Sequence, residues 1–150
     1  MLKPAQAVVC TSTAHIAVDE AGAPERFLGA KLIDVPTVDG KLRPSDIRGV
    51  AHLRGSIHHA EPAVVSITQA TEMGTIYTAE EVRAICETAH EFDMLVHMDG
   101  ARITNAAAAL GATPQALRSF TIDAGVDVLS FGGTKAGLMF GEAVVFFNTS

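Results

Sequence analysis

Residues 63–99 read AVVSITQATEMGTIYTAEEVRAICETAHEFDMLVHMD, and the order of patterns within them decides the fold class. Residues 63–69 (AVVSITQ) begin with a near-continuous apolar run, which suits a strand buried on both faces. Thr78-Ala-Glu-Glu81 is a capping box, in which the Thr hydroxyl and the Glu carboxylate satisfy free amides at a helix start. Val82, Ile85, Ala89 and Phe92 then recur at spacings of three, four and three, forming one apolar helical stripe. Residues 94–99 (MLVHMD) return to a strand, ended by Gly100. Strand, helix, strand is the unit of a parallel sheet.

The same alternation extends outward. Residues 7–11 (AVVCT) read as a strand, followed by a less regular stretch containing His15 and the AVDEAGAPERF segment. Residues 30–36 (AKLIDVP) form a second strand, Asp39-Gly40 marks a turn, and Pro44-Ser45-Asp46 opens a helix running to about Leu53. Downstream, an alanine-rich helix runs from about Ala101 to Leu110 and stops at Gly111. Thr113-Pro114 starts another helix by supplying an N-cap and a first-turn proline. Residues 126–132 (VDVLSFG) and 142–147 (EAVVFF) complete the strands. The expected fold is α/β, a mostly parallel sheet with helices on both faces, in one domain. Such sheets bind ligands at the carboxyl ends of their strands. Asp99 closes the fourth strand there, and Lys135 lies three residues beyond the fifth.

Composition narrows the function classes. With 48% hydrophobic and 19% charged residues the chain is globular rather than disordered. A net charge of −6 with 11 Lys and Arg argues against nucleic-acid binding, which needs cations to displace counterions. Cys10 and Cys86 form no CxxC pattern and read as buried free thiols of a reducing compartment. No apolar stretch reaches the ~18–20 residues of a membrane span. The N-terminal Met-Leu-Lys-Pro-Ala-Gln lacks the apolar core of a signal peptide, so a cytoplasmic placement is expected. His58-His59 has no Cys or carboxylate cluster nearby and reads as a loop pair rather than a metal site. His52 suits the end of its helix, and His90 reads as surface beside the apolar stripe.

Two segments could carry chemistry. In His97-Met98-Asp99-Gly100-Ala101-Arg102, strand alternation puts His97 and Asp99 on one face. A carboxylate at a buried strand end needs a partner, and a protonated ring nitrogen of a cofactor would serve. Arg102 presents a fork of donors to a carboxylate. The competing reading makes Asp99 a helix cap and Arg102 a solvated helix residue. His97 either orients Asp99 or is a satisfied core histidine. In Ser130-Phe131-Gly132-Gly133-Thr134-Lys135-Ala136-Gly137, glycines leave the backbone free to approach a ligand, and Thr134 and Lys135 offer a hydroxyl and an amine. Neither GxxxxGK[ST] nor GxGxxG is present, so no nucleotide fingerprint applies. Taken alone, the lysine is equally a solvated loop residue.

Together the segments change the reading. Asp at one strand end, Arg three residues on, and Lys after the next strand is how fold-type I pyridoxal-phosphate (PLP) enzymes place their cofactor partners. VHMDGARITNAAAALG and DVLSFGGTKAGLMFGEAVVFF, with AHIAVDEAGAPE and SITQATEMGTIY upstream, resemble the threonine aldolase branch of the β-eliminating lyase family. The resemblance implies the large domain of an aspartate aminotransferase-like fold. It implies that Lys135 attaches the cofactor covalently and that Asp99 keeps the pyridine nitrogen protonated. Arg102 would hold the substrate carboxylate or the phenolic oxygen, His15 would stack on the ring, and Thr134 would lie near the phosphate. The implied reaction cleaves β-hydroxy amino acids to glycine and an aldehyde, through a base that removes the β-hydroxyl proton. A small-molecule amino acid is then the substrate, with neither nucleic acid nor membrane as partner, and the full-length protein is a homo-oligomer, dimer or tetramer.

Two departures qualify it. Where much of the family has a histidine after the third strand, this chain has Glu72, a candidate base if its site raises its pKa. The family's chains run to more than twice this length. Residues 1–150 are therefore expected to be a partial PLP-binding large domain, without the N-terminal phosphate-binding segment and the C-terminal small domain. The rival readings are another PLP-dependent β-eliminating lyase and a non-catalytic α/β fragment.

Overall fold

The computed structural model describes residues 2–147, so Met1 of the N-terminal hexapeptide and residues 148–150 lie outside the description. Six strands form one sheet: β1 (Gln6–Thr11), β2 (Lys31–Val35), β3 (Glu61–Thr68), β4 (Leu95–Gly100), β5 (Val128–Gly132) and β6 (Glu142–Phe146). Their spatial order is β2-β1-β3-β4-β5-β6. The first five run parallel, and β6 joins β5 antiparallel, pairing Gly132 with Glu142. The helices are α1 (His15–Val18), α2 (Ala23–Leu28), α3 (Pro44–Ala51), α4 (Ala79–Glu91), α5 (Ile103–Ala109) and α6 (Pro114–Ser119).

The strands obey a period of two, and this sorts the molecule into a core face and a site face. Val9, Val65, Ile67, Val96, Met98 and Leu129 join one cluster with Val82, Ile85, Cys86 and Ala89 of α4 and Ile47 of α3. The intervening Val8, Val64, Ser66 and His97 face an apolar groove flanked by Ile16 of α1 and Ala23, Pro24 and Leu28 of α2. Helices therefore lie over both faces, as the alternation required, but unequally. α1 and α2 were not legible as helices because each is short and buries no residue fully.

Helix α4 forms for the reasons its sequence gives. Glu81 N–H donates to Thr78 Oγ1 at 3.2 Å and Thr78 N–H to Glu81 Oε2 at 2.8 Å, closing the capping box. Val82, Ile85, Cys86 and Ala89 are at most 1% exposed. Lys41 Nζ clamps Glu81 from outside at 2.8 Å. Thr78→Ala removes one of these donor–acceptor pairs and is expected to cost about 1 kcal/mol, read as a lower midpoint in urea with an unchanged slope. Arg43 is the N-cap residue of α3, and its N–H donates to Asp46 Oδ2 at 2.8 Å. Thr113 caps α6, accepting from Ala116 N–H at 3.0 Å.

Cys10 and Cys86 are free and buried. Burial, with smaller contributions from nearby carboxylates, pushes both thiols up to about 12, so both stay protonated and unreactive at neutral pH. His58 and His59 are exposed loop residues. Among the described residues no helix is long and apolar enough to cross a membrane, and no three His, Cys, Asp or Glu side chains gather to hold a metal.

Candidate active site

The sheet reverses its winding between β1 and β3, since β2 follows β1 on one side and β3 to β5 step away on the other. In an open α/β sheet such a reversal leaves a crevice at the carboxyl ends of the strands. Four sequence-selected segments leave the sheet at that edge. His15 follows β1, Glu72 follows β3, the Asp99 turn ends β4, and the Lys135 turn follows β5. A cavity of about 450 Å³ lies there, and His15, Asp99, Arg102, Thr134 and Lys135 all line it. Glu72 does not; its Oε1 sits 3.8 Å from Arg102 Nη1, and both its oxygens are buried with no hydrogen-bond partner.

Asp99 faces the cavity from the penultimate position of β4. Its Oδ1 accepts the Ala101 N–H at 2.9 Å, so it braces the turn before α5 rather than the helix itself, whose N-cap is Arg102. No other side-chain hydrogen bond of Asp99 occurs among the described residues, which leaves Oδ2 available to a ligand. Gly100 and Gly132 explain how closely the Asp99 and Lys135 turns approach. A Cβ on Gly132 would lie 2.6 Å from Ala101 Cα, and one on Gly100 would lie 2.8 Å from Ser130 O. Backbone of the chain itself, rather than a ligand, fills the space these glycines leave.

Lys135 sits on a single 3-10 turn, Thr134–Ala136, and is exposed, with no ion pair or hydrogen bond to its amine among the described residues. Thr134 Oγ1 accepts the Gly141 N–H at 3.2 Å, and Thr134 N–H meets Glu142 Oε1 at 3.4 Å. The Thr134 hydroxyl thus ties its loop to the start of β6 while its own proton remains free to donate.

His97 was open between two readings, and the structure selects the satisfied histidine. Its Nδ1 pairs with Ser66 Oγ and its Nε2 with Ser130 Oγ, both at 2.9 Å, bridging β3, β4 and β5 beneath the cavity. Burial lowers its pKa, against a smaller upward pull from Asp99, which favours the neutral ring that two serine hydroxyls accommodate. His90, read as a surface residue, is 41% exposed and pairs through Nε2 with the nearly buried Asp127 at 2.9 Å. Asp127 also accepts the Val96 N–H at 2.7 Å, so this pair ties α4 to the start of β4. Its partners lie 37 residues apart, beyond any local pattern.

A mostly parallel sheet that brings an aspartate and a lysine from adjacent strand ends to one cavity defines the large domain of a fold-type I PLP enzyme. The chain belongs to the beta-eliminating lyase family, whose profile matches residues 1–150. It is 52% identical over 142 residues to the low specificity L-threonine aldolase of Pseudomonas sp. (strain NCIMB 10558), covering 94% of this chain and 40% of that protein. The threonine aldolase structure from Leishmania major superposes with a TM-score of 0.88 at 37% identity, over 98% of this chain and 42% of that one. Aspartate aminotransferase from Thermus thermophilus shares the fold alone, at a TM-score of 0.51 and 19% identity over 65% of this chain and 24% of that one. The chain spans about 40% of the length of the curated relative.

The family works with pyridoxal phosphate, and the residues present fit that group. A carboxylate oxygen with no protein partner, an unpaired lysine amine and an arginine fork share a cavity large enough for a small cofactor.

Proposed function

We propose that the protein carrying this chain is a PLP-dependent aldolase that cleaves β-hydroxy amino acids, such as L-threonine or L-allo-threonine, to glycine and an aldehyde. The observation that carries this reading is the meeting of His15, Asp99, Arg102 and Lys135 on one cavity, in a chain 52% identical to a low specificity L-threonine aldolase. Pyridoxal phosphate, when bound, supplies an electron sink for the negative charge left at Cα when the Cα–Cβ bond breaks.

The chain's own residues do the rest. Lys135 would provide the amine that holds the cofactor in the cavity. Asp99 would hold a proton on the pyridine nitrogen, because its second oxygen is an acceptor with no competing donor among the described residues. Arg102 would orient the substrate carboxylate, His15 would hold the cofactor ring, and Thr134 would offer its hydroxyl proton to the phosphate. Glu72, although selected from sequence as a base, is proposed here to brace Arg102, since it stands behind that residue and not on the cavity wall.

A cytoplasmic setting belongs to the same proposal, supported by two buried thiols left unpaired. So does a homo-oligomer. Met139 and Phe140, next to the Lys135 turn, are 93% and 82% exposed, an apolar surface that a monomer would leave in water. Incubation with PLP and L-threonine is expected to release glycine and acetaldehyde in equal amounts. A protein that binds PLP but forms no glycine from threonine, allo-threonine or phenylserine would overturn the reading.

A further inference from the structure

The cavity is also lined by Glu20, a residue to which neither a sequence motif nor the family resemblance assigned a role. Its Oε1 lies 2.6 Å from His15 Nδ1, a short, charge-assisted contact. Both side chains line the same cavity as Asp99 and Lys135. The pair is held by the backbone on either side of α1. Ala14 N–H donates to Thr11 O at 3.0 Å, anchoring His15 to the end of β1. Asp19 N–H donates to His15 O at 2.8 Å, closing the single helical turn, and Ala23 N–H donates to Glu20 O at 2.9 Å, fixing the turn that follows.

A carboxylate bound to one ring nitrogen decides where a neutral imidazole keeps its proton. With Glu20 accepting from Nδ1–H, the Nε2 lone pair is left exposed, and Nε2 has no hydrogen-bond partner among the described residues. Other carboxylates near the cavity are occupied differently. Asp99 braces its turn, Glu142 sits over the Thr134 amide, and Glu72 lies behind Arg102.

We infer that Glu20 is a positioning residue for His15, fixing its Nδ1–H tautomer so that Nε2 accepts the β-hydroxyl proton of the amino-acid substrate. This rests on the aldolase reading above. In the step it supports, the substrate O–H bond gives its proton to Nε2, and its electron pair becomes the second bond of the aldehyde carbonyl. The Cα–Cβ bond breaks, its pair remains at Cα, and Cα takes up a proton to yield glycine.

The test compares wild type with Glu20→Gln and Glu20→Asp, each saturated with PLP. Three quantities are measured: threonine cleavage, the visible cofactor band, and exchange of the glycine α-proton in heavy water. Exchange uses the cofactor and Arg102 but has no β-hydroxyl to deprotonate. Glutamine keeps the size of Glu20, yet its amide can donate to Nδ1 and release the tautomer. Glu20→Gln is expected to lower kcat for cleavage by about 10- to 100-fold, with KM, the band and the exchange rate kept, and Glu20→Asp to recover part of the loss. An unchanged kcat in Glu20→Gln overturns the inference, as does a fall matched by equal loss of the band and of exchange. A wild type that exchanges glycine but does not cleave threonine removes the aldolase reading, and this inference with it.

Discussion

Replacing Lys135 by alanine is expected to abolish covalent attachment of the cofactor and reduce turnover to background. The chain has four lysines, Lys3, Lys31, Lys41 and Lys135. Only Lys135 among them lines the cavity, while Lys41 is engaged with Glu81 at 2.8 Å. The Lys135 amine makes no ion pair or hydrogen bond among the described residues, so no protein group holds it away from a carbonyl in the cavity. Borohydride treatment of the PLP-loaded wild type should therefore place a stable label on the peptide containing Lys135 and bleach the visible band. The alanine variant should bind PLP weakly and take up no label. The variant is expected to keep its fold, because the side chain is exposed and joins no packed cluster. Label retained at wild-type level in the variant would move the attachment point elsewhere and undo the site assignment.

Much of this arrangement was legible in the sequence, and the reason is local. Thr78 with Glu81, Thr113 with Pro114, and the alternation of Val96, His97, Met98 and Asp99 each express a rule acting over a few residues. Local pattern alone thus puts Asp99 at one strand end and Lys135 just beyond another. What stayed hidden depends on contacts between distant segments. The strand order, with β1 between β2 and β3, is set by how crossovers pack, and no pattern within a strand records its neighbours. The Ser66–His97–Ser130 bridge needs three strands in register, and the His90–Asp127 tie joins a helix to a loop 37 residues on. The His15–Glu20 pair is a different case. Its partners are only five apart, but they flank a one-turn helix that buries no residue, so no apolar period announced it. Gly132 carried a legible signal whose meaning was misassigned. Its missing side chain admits the Ala101 backbone, and this close approach brings the turn after β4 against the end of β5.

Asp99→Asn separates two jobs that the aspartate performs at once. Its Oδ1 braces the turn through the Ala101 N–H at 2.9 Å, and an asparagine carbonyl can accept that bond in the same place. The second job needs a negative charge, since only a carboxylate favours a proton on the pyridine nitrogen facing it, whereas the asparagine amide is itself a donor there. The variant should fold, keep its thermal midpoint close to wild type, and still attach PLP through Lys135. A hydrogen bond to a charged group contributes about 1.5–3 kcal/mol net. If that difference falls on the charge-delocalising step, kcat for threonine cleavage drops by at least about 10- to 150-fold. Glycine α-proton exchange should fall in parallel, because it depends on the same electron sink. That parallel fall is the distinguishing mark. Glu20→Gln is expected to spare exchange, while Asp99→Asn is expected to slow exchange and cleavage together. Asp99→Ala adds the loss of the turn bond, so it should also lower the thermal midpoint, and the gap between the two variants measures what the turn contributes. Wild-type exchange in Asp99→Asn, with the cofactor bound, would show that the ring nitrogen does not rely on this carboxylate.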